Sequence, residues 1–496
     1  MTGRRTVRLP TRSPGADRVG PPTADPAQSF GALVVAFVVF ATVGTVTWLS
    51  TRGNGPLDTY LAVVWSLPLG GTIIGLSGAL RSRRSLREAR PERVERASEQ
   101  LIVVIPTVGR RDVLPALSRV IATTSAALPL GFTRFRIDLV IEENCAVRGE
   151  IEDLASADPW THVVVVPASY QTPERTHFKA RANHYANAVR TAEGEIRDDV
   201  WILHMDDDTD LRPDAVLELA RFLHENRRCG DALDLAQGIL CYPRELASSR
   251  LVWLADAVRP GCDISIFAAT TGRGSPYAGL HGEMLLVRSS IEAVIGWDFG
   301  PRTIVEDAQF ALHFCSRYPG RSGWIAARSY GASPATPGDL IRQRERWVWG
   351  LLELVSGRSQ RFTSSRDSAQ PSLGPSRRHG LLMLHNTFVW ACAPLGHPVV
   401  IVLCCVALRD LHTSPPLLAL VPVWALNAAY GVWLYWEGLK INSAASALPR
   451  RRWWEPPCLL ILSPMFTLWE VAGIARGVAR FVRGGEPCFT VIAKPV

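Results

Sequence analysis

The sequence predicts an α/β domain set between membrane helices, and three observations predict it. Long uncharged stretches stand toward both ends of the 496-residue chain, while most of the charge lies between them. In the middle, short apolar runs alternate with segments of helical character. Two of those runs end directly in acidic residues. Buried strands alternating with helices give a mostly parallel sheet covered on both faces. Ligands collect at the carboxyl ends of the strands in such sheets.

The membrane segments come first. Pro26 to Thr51 carries no charge, and neither does Thr59 to Leu80. Each exceeds the roughly 20 residues needed to cross a bilayer. Two transmembrane helices are therefore predicted within 26–80, behind a disordered tail at 1–25 rich in Pro and Arg. Gly380–Leu408 and Thr413–Trp436 add two more uncharged stretches within 380–436, broken only by His385 and His397. Arg4, Arg5, Arg8, Arg12 and Arg18 precede the first span, RSRRSLREAR follows the second from Arg81, and Arg52 alone lies between them. Lys and Arg in short flanks mark the cytosolic side. The chain thus reads as a multi-pass integral protein of a bacterial-type inner or plasma membrane, with its central domain (97–363) in the cytosol. A Pro-, Ser- and Arg-rich linker is expected at 364–378. Pro456–Trp469 is short before Glu470 and basic afterwards, so 456–483 is an interfacial or re-entrant helix or a fifth span, leaving a cytosolic tail at 484–496.

Composition excludes other classes. With 47% apolar and 20% charged residues the chain is no disordered polyelectrolyte. Its 54 basic and 46 acidic residues form no aromatic-interleaved basic stripe, so no nucleic-acid partner is expected. Ten cysteines without a CxxC pair or His spacing fit a reducing compartment and argue against zinc or a disulfide framework.

The strands follow in order: LIVVIP at 101–106, IDLVIEEN at 137–144 ending in Glu142 and Glu143, THVVVVP at 161–167, and VWILHM at 200–205 running into Asp206, Asp207 and Asp208. DVLPALSRVIATT and HYANAVRTA read as helices between them.

Three clusters carry chemistry. Asp206 and Asp208, two apart at a strand end, can face one hard cation that bridges phosphates; the run also reads as a solvated acidic turn capping the next helix. An EF-hand loop fails at its sixth and twelfth positions, Leu211 and Leu217. Glu306 and Asp307 precede a helix-like segment, where acids also answer the helix dipole. Gln343-Arg344-Glu345-Arg346-Trp347 offers a guanidinium for diphosphate oxygens and a flat indole for a sugar. It equally reads as a membrane-surface helix with a basic face.

In that order, these motifs resemble the inverting family-two glycosyltransferases with membrane helices, the group containing cellulose, chitin and hyaluronan synthases. LHGEMLLVR, GWDFGP, VEDAQFAL and RQRERW are most similar to the egghead-type β-mannosyltransferases, over roughly residues 100 to 350, and the closing CFTVIAK is similar to the tail of such synthases. The resemblance implies a GT-A fold: a Rossmann-like, mostly parallel nucleotide-diphospho-sugar transferase domain. It implies that Asp206 and Asp208 hold Mg²⁺ or Mn²⁺ against the nucleotide diphosphate. Glu142, Glu143, Lys179, Asp206 and Arg346 would bind the donor, and Gly282, Gln343 and Trp347 the acceptor. Asp307 would be the general base, with Glu306 beside it as the second catalytic acid. KARANHYA at 179–186 departs from the family's KAGALNxA at Arg181 and His184, and Glu142-Glu143 replaces the usual Asp-Asp. Both departures bear on which base and sugar are taken.

The expected activity is transfer of a sugar from a nucleotide-diphosphate donor, GDP-mannose or a UDP-sugar, to a lipid or glycan acceptor. The product would be a β-linkage formed at the cytosolic membrane face. The alternative is a catalytically degenerate membrane component of polysaccharide synthesis or export. Intact carboxylates at both motifs count against it.

Overall fold

The computed structural model describes residues 26–51, 56–88, 94–358, 377–407, 415–447 and 452–485. The expected tail at 1–25 lies outside the described residues, as do all but two residues each of the 364–378 linker and the 484–496 tail.

The chain opens with α1 (Pro26–Thr51), α2 (Pro56–Ser66) and α3 (Pro68–Glu88). Strands and covering helices then alternate: β1 (Ala97–Thr107), α4 (Leu114–Ala127), β2 (Phe132–Glu142), α5 (Arg148–Ser156), β3 (Thr161–Val166), α6 (Phe178–Ala192), β4 (Val200–His204), β5 (Asp210–Leu211), α7 (Pro213–Arg228) and β6 (Leu235–Cys241). Short helices α8 (Arg250–Ala255), α9 (Val258–Cys262), a π-helical turn (Asp263–Phe267) and α10 (Ala268–Thr270) follow. The domain closes with β7 (Leu285–Arg288), α11 (Ser289–Ile295), α12 (Glu306–Arg317), β8 (Ser322–Tyr330) and α13 (Pro337–Val355). Last come α14 (Arg377–Ala407), α15 (Pro415–Ala445) and α16 (Glu455–Arg483).

The eight strands form one mixed sheet in the order β3-β2-β1-β4-β7-β6-β8-β5. Its first four strands run parallel, with Val104 level with both Asp138 and His204. Side-chain alternation explains why these strands read as unbroken apolar runs. Leu101, Val103 and Ile105 pack under α4 and α7, while Ile102 and Val104 meet α6 and α12 on the other face. The α/β expectation holds, and the parallel register brings Thr107, Glu142 and Asp206 to one edge.

Phe30–Thr51, Asp58–Leu86 and Glu455–Arg483 are long and apolar enough to cross a membrane. Arg111–Leu130 meets the same measure, yet it is α4 with its flanking turns. Its apolar stripe (Leu117, Val120, Ile121) is pressed on the sheet and Arg119 is paired with Asp210, so it is a core helix. On α1, Leu33, Phe37, Phe40 and Val43 are exposed, as suits a lipid-facing surface. The second expected span is divided at Leu67, because Pro68 offers no N–H to continue the ladder.

The helices and the sheet domain are joined through close backbone approaches. A Cβ on Gly438 of α15 would strike the Ala257 carbonyl at 1.6 Å, so only glycine lets α15 lie against α9. Tyr242 N donates to Asn442 Oδ1 at 2.8 Å, and Ser82 Oγ donates to the Ile264 carbonyl at 2.6 Å. The terminal helix α16 runs continuously past Glu470, since Arg344 neutralises that carboxylate at 2.7 Å. A second buried pair, Arg244–Glu455, fixes its start.

Candidate active site

A cavity of about 1380 Å³ runs from the carboxyl ends of β1, β2 and β4 down between α2, α14 and α15. At its upper end Lys179, from the first turn of α6, donates to Asp206 Oδ1 at 2.5 Å and to the Gly282 carbonyl at 2.8 Å. Burial works against the Lys179 charge. Asp206, Glu306 and Glu283 outweigh it and hold the ammonium's pKa above its ordinary value. Asp207 accepts from Thr107 Oγ1 at 2.7 Å, which pins the acidic run to the end of β1.

Asp307 is the second residue of α12. Its Oδ1 accepts from Ala308 N at 2.8 Å, while Oδ2 lies 3.6 Å from where a Cβ on Gly282 would stand. One oxygen therefore serves the helix end and the other faces the cavity. The two readings of this acid coexist in one side chain. The same Cβ would come within 2.8 Å of Lys179 Nζ, so Gly282 leaves room for backbone and ammonium together. Beside Asp307, burial and then the neighbouring carboxylate push the Glu306 carboxyl up to about 7, against the pull of Lys179 and Arg346.

Arg346 and Trp347 enter the cavity from α13, with Gln343 one turn earlier. Burial holds the Arg346 pKa below its ordinary value against the opposing pull of Glu306, Asp206 and Asp307, so this guanidinium faces the carboxylate cluster. Gln343 Oε1 accepts from Arg344 Nη1 at 2.7 Å.

Of the residues expected from sequence, Glu142, Lys179, Asp206, Asp208, Gly282, Glu306, Asp307, Gln343, Arg346 and Trp347 all line this cavity. Glu142 does so while ion-paired with Arg181, the residue that departs from the family pattern. Glu143 is turned outward, accepting from Ala168 N at 2.9 Å, and is not part of the lining. Sequence reasoning missed Glu283, which accepts from Thr209 Oγ1 at 3.1 Å, and Arg259, whose guanidinium lies 4.2 Å from the Trp347 ring centre. Glu283 stands inside the LHGEMLLVR string directly after Gly282, which could have marked it, whereas Arg259 belongs to none of the quoted strings.

Among the described residues no three His, Cys, Asp or Glu side chains converge as a metal cage. Asp206 and Asp208 nevertheless suit Mg²⁺ or Mn²⁺, because such ions take one or two carboxylates and fill the rest of their shell with phosphate oxygens and water.

A family model described as glycosyl transferase family group 2 matches residues 201–436, from β4 into α15. Curated relatives include Beta-1,4-mannosyltransferase egh of Drosophila melanogaster, 25% identical over 316 residues, 62% of each chain. Beta-1,4-mannosyltransferase bre-3 of Caenorhabditis briggsae is 25% identical over 247 residues, 48% of each. The chain thus spans less than two thirds of the length of the curated relatives it matches. Among solved structures, mannosyltransferase PcManGT from Pyrobaculum calidifontis, in complex with GDP-Man and Mn²⁺, superposes with a TM-score of 0.46 at 13% identity. The match covers 84% of this chain and 99% of that one.

Proposed function

From the premise that this chain is a family-two glycosyltransferase, we propose that it is an inverting, membrane-bound enzyme that moves mannose from GDP-mannose to an acceptor hydroxyl, forming a β-linkage. The mannosyl assignment draws on the curated relatives, both named β-1,4-mannosyltransferases. The observation that carries the reaction is Asp307, whose free oxygen faces Gly282 and Lys179 in a cavity open to both the strand ends and the membrane helices.

Each group has a task. An acceptor hydroxyl has a pKa far above 7, so a positioned carboxylate must take its proton as attack proceeds, and Asp307 Oδ2 is that base. Lys179 and Arg346 stabilise the charge that grows on the departing nucleotide diphosphate. Asp206 and Asp208 would hold a divalent cation, which when bound neutralises part of the same charge. Gly282 keeps the backbone clear for the acceptor, and Trp347 gives it a flat wall. In-line displacement turns an α-linked donor into a β-linked product. On this reading the carboxylate cluster faces the cytosol, where the donor is made.

A panel of radiolabelled nucleotide sugars, offered with Mg²⁺ or Mn²⁺ to membranes containing the protein, tests the proposal. Labelled product from GDP-mannose is expected. Labelling only from UDP-sugars would keep the transferase and displace the mannosyl assignment.

A further inference from the structure

His281 stands directly before Gly282, on a backbone that the protein holds firmly. Gln237 accepts from His281 N at 2.9 Å and donates to the carbonyls of Glu283 at 2.9 Å and Met284 at 3.1 Å. Met284 ends the segment in the left-handed region, at a φ of 53°. A bulky residue keeps that conformation only where its surroundings enforce it. From this segment Gly282 presents the side of Lys179 and Asp307. The His281 ring turns instead to the π-helical turn, where Asp263 Oδ1 lies 2.5 Å from Nε2 and the Phe267 ring centre 4.3 Å from its own. That turn packs on α3 through the Ile264 carbonyl and Ser82, so the ring stands on the membrane-helix side of the segment.

Asp263 is fully buried, and its other oxygen accepts from Leu240 N at 2.8 Å. A carboxylate only accepts, so the hydrogen-bond pattern assigns the ring proton to Nε2 and leaves a lone pair on Nδ1. Among the described residues Nδ1 is neither hydrogen-bonded nor sealed from solvent. The side chain keeps 11% of its surface, and His281 lines the cavity. His204 shows the same pairing in a purely structural setting. Its Nε2 meets Glu292 at 2.8 Å, its Nδ1 is sealed in, it packs on Trp297, and it lies outside the cavity lining. A brace between turn and sheet needs Nε2 alone. The open Nδ1 of His281 is an acceptor presented to the contents of the cavity.

Resting on the transferase reading above, we propose that His281 selects the sugar acceptor, its Nδ1 accepting a hydrogen bond from an acceptor hydroxyl other than the one that attacks. Asp263 is the positioning residue that fixes the tautomer. The attacking hydroxyl stays with Asp307, because Gly282 and His281 present different sides of the segment. The acceptor is therefore a polyol that carries a second hydroxyl beside the reacting one.

The test is steady-state transfer by the full-length protein in detergent, from labelled GDP-mannose to a solvent extract of native membranes, with GDP binding in Mg²⁺ as second readout. In Asp263→Asn the Leu240 N–H still claims the oxygen, so the amide NH₂ faces Nε2 and moves the ring proton to Nδ1, which then donates. His281→Ala and Asp263→Asn should each raise the half-saturating amount of extract at least about fivefold, as loss of one hydrogen bond dictates. GDP affinity should move less than about twofold. His281→Asn, whose amide oxygen can take the place of Nδ1, should recover part of the loss. Selective ¹⁵N-histidine spectra, with the His281 signal identified by its loss in His281→Ala, should show Nε2 protonated in wild type and Nδ1 protonated in Asp263→Asn. Unchanged half-saturation in His281→Ala, or a wild-type proton on Nδ1, would overturn the proposal. A parallel loss of GDP binding in both variants would make the pair a structural brace and overturn it too. Should wild-type protein neither bind GDP nor label the extract, the transferase reading itself fails.

Discussion

Lys179 Nζ lies 2.5 Å from Asp206 Oδ1, so the acid expected to meet the cation already holds an ammonium that also donates to the Gly282 carbonyl. The acidic end of β4 and the Gly282 backbone are joined through this one lysine. Lys179→Met removes a charge-assisted contact to the diphosphate, which typically contributes about 1.5–3 kcal/mol. The expected result is a donor KM raised roughly 10- to 100-fold in steady-state transfer assays, with the fold retained by circular dichroism. An unchanged donor KM would leave Lys179 as a spacer only.

Metal dependence follows from the carboxylate pair. Asp208 is buried at 3% exposure beside Asp206 at the strand end, and two acids so placed can share one hard cation. Asp208→Asn should abolish transfer and weaken donor binding, and a chelator should do the same to wild type, with Mg²⁺ or Mn²⁺ restoring it. Undiminished transfer in EDTA would remove the metal from this site.

The Glu306 carboxyl, raised to about 7 by burial and by Asp307, sets a pH dependence. Below pH 7 it carries a proton, and as pH rises through 7 it ionises and can itself accept one. The turnover rate should therefore climb through about pH 7, and Glu306→Gln should remove that limb. For stability the sign is opposite. Between about 4.5 and 7 the folded protein keeps a proton that the unfolded chain has lost, so this group's contribution is full below 4.5 and fades as pH rises through 7. A Glu306→Gln variant with the same limb near 7 would assign that titration elsewhere.

Much of this was legible in the residues. The four parallel strands are buried on both faces and so read as apolar runs, and the two acidic strand ends marked the edge of the sheet where the cavity opens. The mixed half was less visible, because β6 carries Gln237 and Gly238 within it and β7 is only four residues long. α16 looked short because Glu470 seemed to end it; its partner Arg344 comes from a distant segment, and no local pattern announces that pairing. Arg259 was missed for the same reason, since its meaning depends on Trp347 lying over it.

Topology is the next test. The Arg-rich flanks predict a cytosolic sheet domain, and α16 is bound to that domain by buried ion pairs at Glu455 and Glu470. Reporters fused after Arg452 and at Val496 should both read cytosolic. An external reading at Val496 would make α16 a fifth span.

The central claim is that Asp307 is the base, and one variant separates its chemistry from binding. Asp307→Asn keeps the shape and the contact with Ala308 N, since Asn caps a helix about as well as Asp. It removes the proton acceptor, which typically costs 10²–10⁴-fold in rate, about 3–5 kcal/mol. Nucleotide-sugar binding and transfer measured on the same purified variant should show near-normal donor affinity and turnover reduced by at least roughly 100-fold. Near-normal turnover would contradict the account, leaving Asp307 with only its role at the helix end.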